Sequence, residues 1–125
     1  ELDANSRQLI ERHWPGALTI VARRRDGADP VHGGTTLGVR CPEPGWLRLL
    51  IDDVGPVTGS SANLHGIETL HSAQDAAAEL SANIDYVIPG RSPGGTASTV
   101  VDVTGDTPRL LRSGPIGEIE LNFDV

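Results

Sequence analysis

Small hydroxyl side chains and arginines fall at the ends of short β-rich runs in this chain, and together they suit an anion. Ser60, Ser61, Ala62 and Asn63 directly follow the run at residues 56–59, and Ser98 opens another just after a glycine-rich stretch at 89–96. Thr36 and Arg40 bracket a third run, and Arg112 ends a fourth. Hydroxyls, amides and exposed backbone N–H groups in such places can hold phosphate oxygens, while the arginine fork grips carboxylate or phosphate through two parallel hydrogen bonds. Strand ends of open α/β sheets are where such ligands usually sit. Each segment alone also reads as ordinary turn chemistry. Taken together they point to a site for an anionic small molecule.

Other reactive residue types say less. His13, His32, His65 and His71 lie on four separate segments without metal-ligand spacing, and read as ordinary polar residues. Cys41 stands between Arg40 and Pro42, where an arginine could lower a thiol pKa, but a lone thiol with no histidine beside it reads as structural. All ten basic residues are arginines, so the lysine of a P-loop is absent, and no dinucleotide-type glycine fingerprint is present. A single cysteine excludes an internal disulfide framework and a zinc site built from several thiolates.

The elements that must position these residues follow from patterning. The chain has 125 residues, 38% hydrophobic and 22% charged, which suits one globular domain rather than a disordered chain or a coiled coil. No apolar run approaches the ~18–20 residues needed to span a membrane. The net charge of −7 argues against a surface that binds polyanions throughout, although a local arginine cluster could hold one phosphate. Residues 3–13 read as a helix, capped by Asp3 or Asn5 and stopped at Pro15-Gly16. Residues 46–54 have helical periodicity through Trp46, Leu49, Leu50 and Val54, and residues 72–80 form a third helix with Ser72 and Asp75 resembling a capping box. Strands are expected at 17–22, 36–40, 56–59, 84–88, 98–103 and 109–112. Six strands with three interspersed helices indicate one mixed α/β domain, a twisted mixed β-sheet flanked by helices.

Five segments in order resemble a known family. His13-Trp14-Pro15-Gly16-Ala17-Leu18-Thr19-Ile20, Gly38-Val39-Arg40-Cys41-Pro42, Val57 to Asn63, Ser98 to Asp102 and Leu111 to Gly114 resemble the motifs of the YrdC-like family, the threonylcarbamoyl-AMP synthases. The resemblance implies a YrdC-like domain that condenses L-threonine, bicarbonate and ATP, with Mg2+ accompanying the ATP, to threonylcarbamoyl-AMP and pyrophosphate. No carboxylate cluster marks a metal site of the protein itself. The product would feed tRNA-modification partner proteins that install t6A, in the cytoplasm. By position, Thr36, Ser61, Ala62, Asn63 and Arg112 match the nucleotide side of the family site, and Arg40, Ser60 and Ser98 match the threonine and carbamoyl side. The family's opening strand motif and its phosphate-holding lysine and arginine have no counterpart here, and the chain does not begin with methionine. The expectation is therefore a partial domain over residues 1–125, its N-terminal third absent and the segment inactive alone. Two other readings stay open: a YrdC-like module of a carbamoyltransferase, and a non-catalytic nucleotide- or RNA-binding remnant. The net charge argues against more than a weak RNA contact.

Overall fold

The computed structural model describes residues 2–25, 34–62, 71–80, 84–92, 95–117 and 121. They fall into two units, Glu1–Gly55 with Thr96–Val125, and Pro56–Gly95.

In the first unit, Asp3 caps helix α1 (Ala4–His13), its carboxylate accepting from the Ser6 N–H at 2.7 Å. Hydrogen bonding by Ser6 holds the Asp3 carboxyl below the usual carboxylate range. Arg12 and His13 occupy the last turn, where positive charge suits the helix dipole. The Trp14 N–H still reaches Ile10 O at 2.9 Å, after which Pro15 ends the helix. The Trp14 indole N–H then donates to Leu18 O at 2.8 Å, tying the turn to the strand that follows.

That strand, β1 (Leu18–Arg23), is central in a four-stranded sheet with β2 (Thr36–Val39), β3 (Thr99–Asp102) and β4 (Arg109–Arg112). The order is β2-β1-β3-β4; β1 runs antiparallel to β2 and parallel to β3, and β4 runs antiparallel to β3. This is the expected mixed sheet. Alternation along β1 buries Leu18 and Ile20 and leaves Thr19 and Val21 on the opposite face. Leu18, Ile20 and Val101 meet Leu9 of α1 and Leu121 in the core, each such burial contributing roughly 1.5–3 kcal/mol. Thr99 is fully buried on the same face, yet satisfied: its hydroxyl donates to Ile116 O at 3.0 Å and accepts from the Ile116 N–H at 3.1 Å.

At the far end of β3, Asp102 accepts from the Thr104 hydroxyl at 2.7 Å and the Thr104 N–H at 2.9 Å, and pairs with Arg109 at 3.2 Å. Thr104 is the main reason the Asp102 carboxyl sits below its ordinary range. Helix α2 (Gly45–Val54) forms as its periodicity predicts, but none of its residues is buried, and Trp46, Leu49, Leu50 and Val54 are exposed.

The second unit holds α3 (Ala73–Leu80), whose Asp75 N–H is accepted by the Ser72 hydroxyl at 3.3 Å. The expected strands at 56–59 and 84–88 are not strands. A β-rich run becomes one only beside a hydrogen-bonded partner. Among the described residues of this unit, the pairing is an isolated bridge of Ser72 with Arg91, just beyond the second run.

Candidate functional site

Register decides which side chains share a face. Thr19 pairs with Val100, and Val100 pairs with Arg112, so Thr19 and Arg112 lie on the face turned away from α1. Val21 pairs with Gly38, and alternation along β2 carries Thr36 and Arg40 to that same face. Ser98 precedes the buried Thr99 and therefore joins them. Chain direction then decides which end of the sheet they occupy. Ser98 and Thr19 stand at the start of the parallel pair β1 and β3, while Arg40 and Arg112 stand at the finish of the two strands that run the other way. Two arginines and two hydroxyls from four strands thus share one face and one end of the sheet, with Arg40 and Arg112 on its two edge strands, about 14 Å apart by strand spacing.

Hydrogen bonds fix that end of the sheet. Arg112 donates through Nε to Ser98 O at 3.0 Å and through Nη2 to Ser98 Oγ at 3.1 Å. Ser98 Oγ is also 2.8 Å from Thr19 Oγ1. Arg40 donates through Nε to Gly16 O at 2.8 Å, and the Gly16 N–H donates to Cys41 O at 3.0 Å. This two-point clamp holds the end of β2 against the turn before β1. Both arginines are exposed, and among the described residues no carboxylate pairs with either. An anion could meet their remaining N–H groups without displacing an ion pair.

Two glycines allow the close approaches behind this arrangement. A Cβ on Gly16 would collide with His13 O, and one on Gly114 would collide with Thr99 N and Ala97 O. Gly114 therefore lets the chain just after Arg112 lie against the start of β3.

The remaining sequence-predicted residues are placed differently. Thr36 shares the face but pairs with Arg23 at the other end of the sheet, about 13 Å from Arg40 by strand rise. Ser60, Ser61 and Ala62 are exposed in the second unit, where Ala62 lines an apolar hollow of about 210 Å3 with Ala76, Leu80, Tyr86 and Ile88. Asn63 lies outside the described residues. Thr19 was not singled out in the sequence, where it stands inside the expected strand at 17–22 and inside the first resembling segment. Its one signal was alternation against Leu18 and Ile20, and only the parallel register with β3 puts it beside Ser98.

Comparison with known proteins is consistent in direction. A Sua5/YciO/YrdC family model, described as telomere recombination, matches residues 1–114. A protein of Mycobacterium tuberculosis is 36% identical over 116 residues, covering 89% of this chain and 52% of its own length. The threonylcarbamoyl-AMP synthase of Bacillus subtilis is 34% identical over 116 residues, covering 89% of this chain and 34% of its own. Among solved structures, Pyrococcus abyssi Sua5 complexed with L-threonine superposes with a TM-score of 0.85 at 34% identity, covering 96% of this chain and 37% of that one. The chain spans between about a third and about half of the length of these proteins.

Proposed function

The chain belongs to the Sua5/YciO/YrdC family, and from that premise we propose that it is part of a threonylcarbamoyl-AMP synthase. The reaction joins L-threonine, bicarbonate and ATP into L-threonylcarbamoyladenylate, releasing pyrophosphate and water. The threonine amine attacks the bicarbonate carbon to form a carbamate, with loss of water. A carbamate oxygen then attacks the α-phosphorus, and pyrophosphate leaves. Both reactants in each step are anions or become so, and the site must hold them together against their repulsion.

One observation carries the reading most of the way. Arg112, Ser98 and Thr19 are joined by hydrogen bonds, and Arg40 stands across the same face and end of the sheet, with arginine N–H groups open to a ligand. Arg40 suits the threonine or carbamoyl carboxylate, and Ser98 supports that side. Arg112 suits the developing charge on the α-phosphate. Thr36, about 13 Å along the same face from Arg40, suits the far end of an elongated adenylate rather than a second copy of a small anion. Ser60 is assigned to the threonine and carbamoyl side, and Ser61, Ala62 and Asn63 to the nucleotide. Mg2+ enters on the ATP phosphates and supplies charge neutralisation there.

We read the 125 residues as part of a single such domain, with t6A-installing partner proteins taking the product in the cytoplasm. Among the described residues no helix is long and apolar enough to cross a membrane. The test is threonine-dependent pyrophosphate release by the full-length protein with ATP and bicarbonate, with mass spectrometry for the adenylate. Pyrophosphate release that ignores threonine, or no adenylate at all, overturns the assignment and favours a carbamoyl-transfer module or a binding remnant.

A further inference from the structure

We propose that Thr19 is a positioning residue of this anion site, orienting Ser98 and, through Ser98, Arg112. The inference rests on the reading that this end of the sheet binds threonine and ATP. It starts from a hydroxyl that the resemblance did not assign.

Ser98 is only 7% exposed and is gripped from two sides. Arg112 spends one N–H on its carbonyl and another on its hydroxyl oxygen, while Thr19 meets the same oxygen at 2.8 Å. The two hydroxyls carry two protons between them, and one of these closes the Thr19–Ser98 bond. Whichever hydroxyl donates there, the other keeps its proton free to donate to a ligand oxygen, in a direction that the pair sets. A hydroxyl that accepts while it donates is also the better donor. Without Thr19, Ser98 Oγ can turn toward solvent or the backbone, and the Arg112 Nη2 contact turns with it.

The Thr19 side chain is held ready for this. Its methyl faces β2, where a Cβ built on Gly38 would lie 3.6 Å from Cγ2. With the methyl turned to β2, the hydroxyl turns to β3 and Ser98, and a β-branched residue has little freedom to leave that rotamer. Thr19 is half-buried and sits on the ligand face, not in the core with Leu18 and Ile20. A hydroxyl needed only for packing would have no reason to be paired across two strands with the serine that an arginine clamps.

In the full-length protein, Thr19→Val keeps the branched shape and deletes the hydroxyl, whereas Thr19→Ser keeps the hydroxyl and deletes the methyl. The readouts are KM for L-threonine and for ATP against kcat, and the solvent-exchange rate of the Arg112 Nη2–H by NMR. The expected result is a threonine KM about tenfold higher in Thr19→Val, the size of one hydrogen bond, with kcat changed less. The Arg112 Nη2–H should exchange several-fold faster in that variant. Thr19→Ser should restore both to within about twofold of the parent. Parental KM and exchange in Thr19→Val overturn the proposal, as does a serine variant no better than valine. A parent without threonine-dependent turnover, but with Arg112 exchange responding as stated, overturns the synthase reading and supports the positioning role. Should Thr19→Val fail to fold, Thr19→Ala takes its place. It must reproduce the faster Arg112 exchange, and parental exchange there overturns the proposal.

Discussion

Arg40 shows how one side chain can be both fastened and free. Its Nε is committed to Gly16 O, while the residue stays exposed. A lysine at this position would supply charge but neither the Nε anchor nor the planar fork. Arg40→Lys is therefore expected to lower threonine-dependent pyrophosphate release at least about tenfold, mainly through the threonine KM, in line with a charge-assisted hydrogen bond. Steady-state kinetics on the full-length protein check this, and near-parental turnover would reduce Arg40 to a point charge. Arg40 and Arg112 were legible as residues that close β-rich runs, although each segment alone also read as turn chemistry; that they share a face and an end needed the register. Thr19 was not, because a threonine inside a β-rich run looks like its neighbours until the partner strand is known.

At the scale of elements, capping and alternation were the readable signals. Asp3 is the cap that the sequence offered beside Asn5, and its depressed carboxyl pKa gives the helix a pH dependence. A carboxyl lowered in the folded state adds stability that is complete above the unfolded pKa of about 3.9 and is lost as pH falls through the lower folded value. Asp102 carries the same sign. Asp3→Ala should cost about 1 kcal/mol near neutrality, the usual worth of an N-cap. It should also make the acid limb of the melting-temperature profile shallower, and an unchanged limb would remove Asp3 from the explanation. β1 and β3 were readable from β-branched runs and β2 and β4 from short runs between turn signals, but 56–59 and 84–88 read as strands too without becoming strands. Composition reports what suits a ladder, whereas a ladder also needs a neighbour that the run cannot specify. Gly114 was legible as a motif letter only; that it lets Arg112's segment lie on Thr99 N required coordinates.

For the whole molecule, the apolar surface left open is the leading feature. Helix α2 turns Trp46, Leu49, Leu50 and Val54 outward, and β2 at the sheet edge exposes Leu37 and Val39. This surface predicts that the 125 residues by themselves self-associate. Sedimentation of the isolated 125 residues provides the check. A species that stays monomeric across a wide concentration range would refute it. The sheet also divides its labour by odd and even positions: Leu18, Ile20, Thr99 and Val101 face α1, while Thr19, Val21, Ser98 and Val100 face away. A deletion of one residue inside β1 would therefore do what no single replacement can. Everything beyond the gap would change sides, sending valine and arginine toward α1 and isoleucine toward the ligand. Length variation in this family domain should accordingly collect between the strands, in stretches such as the one joining β1 to β2, and spare the strands themselves.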